Sequence, residues 1–249
     1  MRAEHSTRLD SVDEQLLAWY SENGRCLPWR ETGDPYAILV SEVMLQQTQV
    51  DRVIPRWLAW LERWPTPAAL AAASPADVIR AWQGLGYNRR AINLHRAAAA
   101  IAAQGWPEDL TDLPGVGPYT AGAIRNQAFG EPVLPIDTNV ARIQERTGHS
   151  FGPAALQALF DLGATVCLAR VPRCDVCPLA GECPSRGRRY DPVRKQSRFE
   201  GSFRQRRAAL LRQVVERSQP LEEVDRETVE SLERDRLVVV EADRVALPA

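Results

Sequence analysis

Residues 113–142 read LPGVGPYTAGAIRNQAFGEPVLPIDTNVAR, and this stretch decides the fold. Gly115 and Gly117 enclose a tight turn, and Pro118 follows at a position where a helix can begin. A glycine-rich turn that leads into a helix presents unpaired backbone N–H groups, which can bind a phosphate. Further along, Asp137 stands where it can cap another helix or act as a lone carboxylate. The stretch therefore predicts helices, a candidate phosphate site and a candidate catalytic acidic residue.

Length and composition limit the class of protein. The 249 residues can form one large or two modest domains with an ample core. No apolar run approaches the length of a membrane span, so we expect no membrane contact. The polar N-terminal stretch lacks the apolar segment of a signal peptide, which predicts a cytoplasmic protein. A formal net charge of −1 gives no global sign of nucleic-acid binding, so any DNA contact must use a local basic face.

Helical patterns dominate the chain, and strand patterns occur only near its C-terminus. One helix is predicted to begin at Ser11, two helices lie over 38–60, another begins at Ser74–Pro75, and a further one covers 89–103. A β-hairpin is predicted over 237–240 and 245–247. The segment 186–206 is strongly basic and predicts a linker, either a solvated tether or a DNA contact. Residues 207–249 follow the order helix, helix, two strands, which predicts a small winged-helix-like module.

Four cysteines form a compact group with the spacing C-x6-C-x2-C-x5-C: Cys167, Cys174, Cys177 and Cys183. So many thiols in a short loop of a cytoplasmic chain indicate a metal site rather than disulfides. Spacing alone leaves zinc and an iron–sulfur cluster open. Cys26 is left over and is expected to be a small buried residue.

Three further segments complete the pattern: RCLPWR at 25–30, SEVMLQQTQV at 41–50 and GLGY at 84–87. Together with Asp137 and the cysteines they resemble the iron–sulfur branch of the helix-hairpin-helix DNA glycosylases, and within it the adenine DNA glycosylases of the MutY family. The resemblance covers roughly residues 14–185. It implies an all-α fold of two lobes with a DNA cleft between them, and a [4Fe–4S] cluster on the four cysteines.

The resemblance also implies roles for individual residues. Glu42 matches the glutamate that protonates the adenine and activates water, and Asp137 the aspartate that stabilises the sugar cation. Tyr119 and Asn139 match the residues that support this site. The positions that match DNA contacts are Gln46, Gln47, Tyr87, Gly115 and Gly117. The positions that match the adenine pocket are Arg25, Trp29, Arg30 and Gln157. Gln47 would fill the gap left by the flipped base, and Tyr87 would insert on the opposite strand. An acid and a separate anion are what glycosidic cleavage needs.

The chain departs from the family pattern at several places. Tyr119 stands where endonuclease III proteins carry a Schiff-base lysine, which predicts a monofunctional enzyme. Thr138 replaces the usual glycine, and Asn88 replaces a second aromatic residue. The segment between Arg142 and Gln157 is shorter than in the family. The tail is too short for the C-terminal domain that recognises 8-oxoguanine.

These observations predict a layout and a function. Residues 1–185 would form the glycosylase domain, with a six-helix lobe over about 37–130 and a cluster lobe from 1–36 and 131–185. The function expected is removal of adenine mispaired with guanine or 8-oxoguanine, by a monomer acting on double-stranded DNA. A mismatch thymine or uracil glycosylase is the alternative, although Gln46 and Gln47 favour adenine. A non-catalytic, lesion-binding iron–sulfur protein is a second alternative, against which Glu42 and Asp137 together argue.

Overall fold

The computed structural model describes residues 11–191 and 198–249. It is mostly helical, as the sequence predicts. The helices are α1 Ser11–Asn23, α2 Pro35–Leu45, α3 Val50–Arg63, α4 Pro67–Ala71, α5 Pro75–Ala81, α6 Arg89–Gln104, α7 Pro118–Phe129, α8 Thr138–Thr147, α9 Leu156–Thr165, α10 Phe203–Glu216 and α11 Arg226–Arg234. The strands are β1 Gln219–Pro220, β2 Val239–Glu241 and β3 Arg244–Ala246. Within the described part of the chain, no helix is long and apolar enough to cross a membrane.

The helix starts that the sequence predicts are present. Ser74 caps α5 by accepting a hydrogen bond from the backbone N–H of Asp77 at 3.2 Å, and a proline follows it at the first helical position. Pro118 begins α7. The region over 38–60 contains α2 and α3, a pair of helices as expected.

The described residues of the chain form two compact units: 11–30 with 122–191, and 31–121 with 198–249. The core of the first unit joins Leu16 of α1 to Val140 and Ile143 of α8 and to Leu159 and Leu162 of α9. In the second unit α2 is buried on every side from Tyr36 to Met44. A helix that is apolar all round belongs inside a core, so α2 is the central helix of this unit.

The C-terminal module begins inside the predicted linker. Ser202 caps α10, so Arg204 and Arg206 are helical residues. Residues 192–197 of the predicted linker, including Arg194 and Lys195, lie outside the described residues. The predicted hairpin is confirmed as β2 and β3, with Val240 opposite Val245. The short strand β1 also pairs with β3, and its two residues, one of them proline, carry no alternating pattern that would predict it.

The module packs on α5 and α6 of its own unit. Leu210, Leu211 and Val214 of α10 share one core with Ile79 of α5 and Ile92 of α6. The module is therefore a fixed part of the second unit and not a separate body.

Candidate active site

Asp137 lies at the N-terminus of α8 in the first unit. Its Oδ1 accepts hydrogen bonds from the backbone N–H groups of Asn139 at 2.8 Å and Val140 at 2.7 Å, and its Oδ2 accepts one from the Asn139 amide at 3.1 Å. The positive end of the helix dipole favours a negative charge at this point. Asp137 is thus both a helix cap and a half-buried anion whose direction is fixed.

Asn139 is in turn held from the far side. Arg142 donates to Asn139 Oδ1 at 2.7 Å, and also to the carbonyls of Gly163 at 2.9 Å and Cys167 at 2.9 Å. A Cβ on Gly163 would stand 2.6 Å from the Cβ of Asn139. The close packing of α8 on α9 therefore requires glycine at position 163 and sets the position of Asn139.

Arg25 and Arg30 converge on Asp161, a fully buried carboxylate on α9. Arg25 donates through its backbone N–H and its Nε, both at 2.8 Å, and Arg30 through Nη1 at 2.9 Å and Nη2 at 2.7 Å. Burial raises the pKa of Asp161, but the hydrogen bonds from Arg30 and Arg25 outweigh it, so the pKa lies below its ordinary value.

Asp161 was not among the candidate residues. Its only sequence signal is its place in the apolar helix LQALFDLGAT, because a carboxylate buried there needs cationic partners. Gln157 lies one turn earlier on α9 and is half-buried, so it shares a helix face with Asp161. Trp29 is 4% exposed and belongs to the core rather than to an open surface.

The four cysteines come together in the first unit, where they line one cavity with Arg146 and Leu179. Burial raises the pKa of Cys177 to about 11, and the thiols of Cys167, Cys174 and Cys183 add to the rise. No group of three or more Cys, His, Asp or Glu among residues 11–191 and 198–249 converges on a single metal ion. Cys26, expected to be buried, is exposed, because it precedes the short helical turn at Pro28–Arg30 rather than packing beneath it.

Arg146 holds the cysteine loop against α8. It is 5% exposed and donates to the carbonyls of Leu168 at 2.8 Å and Ala169 at 2.7 Å. It also donates to Cys167 Sγ at 3.4 Å, while the ring of Tyr190 covers its guanidinium at 3.9 Å. Gly187 N–H donates to Cys174 Sγ at 3.3 Å. Cys167 and Cys174 therefore each have an N–H donor that suits a thiolate.

Glu42 belongs to the second unit. It is 6% exposed and lies on the buried helix α2. Burial disfavours a charge on a carboxyl group, which suits a residue that must carry a proton. Because Glu42 and Asp137 belong to different units, their pairing stays a prediction.

Gln47 and Tyr87 share an unusual backbone conformation in the second unit. Their φ angles are 58° and 47°, in the left-handed region that non-glycine residues rarely adopt. Both are exposed, Tyr87 to 46%. Such strain persists only where the surroundings impose it, and it gathers at functional sites.

Arg90 holds both loops by hydrogen bonds, and no sequence pattern predicts this role. It is 8% exposed and donates to Val43 O at 2.7 Å and Met44 O at 2.9 Å, at the end of the helix that carries Glu42. It also donates to Thr48 Oγ1 at 3.0 Å, beside Gln47. Its remaining bonds go to the carbonyls of Leu85 at 3.2 Å and Gly86 at 3.0 Å, just before Tyr87. A single guanidinium therefore joins Glu42's helix to both strained loops.

The glycine turn before α7 is open to solvent. Gly115 has φ +81°, and a Cβ there would stand 2.8 Å from the Cβ of Asn93, so glycine is required. Nothing lies within 4 Å of a Cβ built on Gly117, and both glycines are exposed. A phosphate can thus approach the backbone N–H groups. Tyr119 follows in the first turn of α7 and is half-buried.

Comparison with known proteins identifies the class. Residues 40–158 match the sequence profile of the HhH-GPD superfamily base excision DNA repair proteins. The fold is similar to that of a solved thermostable thymine-DNA glycosylase, with a TM-score of 0.63 and 24% identity over 69% of this chain and 93% of that chain. The chain therefore has the HhH-GPD fold.

Two bacterial relatives narrow the assignment. The adenine DNA glycosylase of Mycobacterium tuberculosis is 44% identical in an alignment 237 positions long, gaps included, which covers 80% of this chain and 77% of the relative. That of Mycolicibacterium smegmatis is 41% identical in an alignment 257 positions long, gaps included, which covers 89% of this chain and 87% of the relative. The chain belongs to the adenine DNA glycosylase family.

Proposed function

We propose that this protein is a monofunctional DNA glycosylase that hydrolyses the N-glycosidic bond of adenine mispaired with guanine or 8-oxoguanine. The observation that carries the proposal is the presence of two carboxyl groups in unlike environments, one in each unit. Asp137 is an anion fixed by three hydrogen bonds at a helix N-terminus, and Glu42 is a carboxyl group buried in an apolar helix. Glycosidases use two carboxyl groups in different environments, one protonated as the general acid and one ionised.

The reaction needs the base outside the duplex, because a stacked base is unreachable. Glu42 gives its proton to the adenine, the bond between the sugar C1′ and adenine N9 breaks, and its electron pair leaves with the adenine. Asp137 stabilises the positive charge that develops on the sugar. Water then adds to C1′ and returns a proton to the Glu42 carboxylate. Tyr119 offers no amine for a Schiff base, so the reaction ends at the abasic site.

The four-cysteine cavity supports a [4Fe–4S] cluster. All four cysteines line one cavity, and N–H groups donate to two of the sulfurs. A four-iron cluster takes four such ligands, one thiolate at each iron. Cys167, Cys174, Cys177 and Cys183 would hold the cluster, which would fix the conformation of the loop. Arg170 and Arg173 are exposed on that loop, where they can contact phosphates.

Single-turnover base release tests the function. Duplexes carrying A, T or U opposite G or 8-oxoguanine are incubated with excess protein, and abasic products are cleaved with alkali. We expect release of adenine alone. Release of thymine or uracil instead would assign the protein to the mismatch-pyrimidine branch, and release of no base would leave only lesion binding.

A further inference from the structure

A groove of about 990 Å³ lies within the second unit, between the C-terminal module and the helices α2 and α6, which we call the catalytic helices because α2 carries Glu42. Gln47, Tyr87 and Arg89 line it from the catalytic side. Phe199, Arg204 and Arg207 line it from the module. The module thus extends the surface that the two strained loops begin.

The two walls of the groove are joined by charge as well as by the shared apolar core. Arg207 of α10 donates to Asp235 Oδ2 at 2.5 Å and to the hydroxyl of Ser231. Asp235 Oδ1 lies 3.6 Å from Arg89 Nη1 on α6. Asp235 therefore bridges a cation of the module and a cation of the catalytic helices, which fixes the width of the groove.

The charge of the groove differs from that of the chain. Four arginines, Arg89, Arg90, Arg204 and Arg207, line it together with a single carboxylate, Asp235. The whole chain has a formal net charge of −1. The groove is therefore the kind of local basic face that an otherwise neutral protein needs to hold a polyanion.

Exposed aromatic rings accompany these cations. Phe199 is 53% exposed and Tyr87 is 46% exposed, one on each wall. Each exposed ring offers a face on which a base can stack. Guanidinium groups for phosphates, alternating with aromatic faces for bases, are the pattern of sites that take an unpaired stretch of nucleic-acid strand.

We propose that the C-terminal module and the catalytic helices together hold one strand of the substrate DNA in this groove. Arg204 and Arg89 contact its phosphates, and a base stacks on Phe199. The proposal rests on the proposed function only in that the substrate is DNA. It gives the module, which does not resemble the family's 8-oxoguanine-recognition domain, a direct part in substrate binding.

Binding measurements on the full-length protein test the proposal. Phe199→Ala and Arg204→Gln are compared with wild type on a fluorescent A:8-oxoguanine duplex over a range of salt concentrations. We expect about tenfold weaker binding for Phe199→Ala, recovered in Phe199→Trp, because stacking tolerates any aromatic face. We expect the salt slope of Arg204→Gln to fall by about one, the signature of one lost phosphate contact.

Arg212→Gln is the matched control, since Arg212 is an exposed arginine on the same helix and does not line the groove. It should bind with close to the wild-type salt slope. Wild-type affinity and slope in both groove variants, or an equal loss in Arg212→Gln, would overturn the proposal. Circular dichroism of each variant shows whether it has folded. Absence of base release by the wild type would refute the proposed function alone, because strand binding is read without catalysis.

Discussion

At the scale of single residues, Asp137 has two tasks that one substitution can separate. Asparagine caps a helix about as well as aspartate, so Asp137→Asn should keep α8 and the fold. It removes the negative charge next to the developing sugar cation, and we expect single-turnover adenine release to fall by at least about 100-fold. DNA binding should change little. Asp225→Asn, the same change at the cap of α11, should retain wild-type activity, and an active Asp137→Asn would contradict the mechanism.

Asp161 is the residue on which the N-terminal segment depends. Removing one partner of a buried ion pair leaves the others uncompensated, so we expect Asp161→Asn to lower the free energy of unfolding by about 3–5 kcal/mol. Asp77→Asn is the matched control, because Asp77 also pairs with two arginines, at 3.1 Å and 3.3 Å, but on the surface. It should cost less than about 1 kcal/mol. Urea unfolding at neutral pH measures both, and equal losses would contradict the assigned role.

The same carboxylate predicts a pH dependence. The pKa of Asp161 in the folded protein lies below its ordinary value of 3.8, so its contribution to stability is complete above that value. The contribution is lost as pH falls through the folded pKa. The difference in unfolding free energy between wild type and Asp161→Asn should therefore be constant near neutral pH and shrink below about pH 4. A difference that stayed constant in acid would refute the ionised state of Asp161.

At the scale of elements, the packing of α8 on α9 reverses the usual preference for alanine over glycine inside a helix. Gly→Ala inside a helix usually stabilises a protein by up to about 1 kcal/mol. At Gly163 the new Cβ would meet Asn139 at 2.6 Å, so α8 and α9 must separate. We expect Gly163→Ala to be destabilising and to slow base release, because Asn139 positions Asp137. Gly33→Ala, where nothing lies within 4 Å, should do neither, and a stabilised Gly163→Ala would contradict this packing.

Arg90 joins three elements, and its shape matters as much as its charge. Burial lowers its pKa to about 10, so it remains charged at neutral pH. Lysine cannot reach five acceptors with one ammonium group, and each buried carbonyl left without a donor costs about 1–3 kcal/mol. We expect Arg90→Lys to unfold at lower urea concentration and to bind mispaired DNA more weakly. Arg96→Lys, on the exposed face of α6, is the control. Wild-type behaviour of Arg90→Lys would show that charge alone suffices.

The sequence was sufficient to predict features that depend on residues close together in the chain. Proline and serine at helix starts, the hairpin of β2 and β3, and the cysteine spacing each depend on neighbouring residues, and the structure contains all of them. Asp161 and Arg90 escaped prediction because their partners are 136 and up to 47 residues away. A carboxylate or guanidinium alone does not indicate which distant groups will surround it. Cys26 was misjudged for a similar reason, since composition does not give the exposure of one side chain.

At the scale of the whole molecule, each unit has its own core, and only the first contains the cysteine cavity. Leu179 and the side chains of Cys167 and Cys177 pack against the core of α1, α8 and α9. Loss of the proposed cluster should therefore loosen the first unit and leave the second intact. Base release should also fall, because Arg142 joins the carbonyl of Cys167 to Asn139.

Cys177→Ser tests this expectation, with Cys26→Ser as the same change at an exposed cysteine outside the cavity. Iron and sulfide content should fall in Cys177→Ser alone. Hydrogen exchange should then show lost protection over α8 and α9 and retained protection over α2 and α6, because those helices belong to the second core. Zinc in place of iron in the wild type would show that the four cysteines bind zinc and not an iron–sulfur cluster. Equal loss of protection in both units would show that they unfold as one, and the stability of the second core would then depend on the cluster as well.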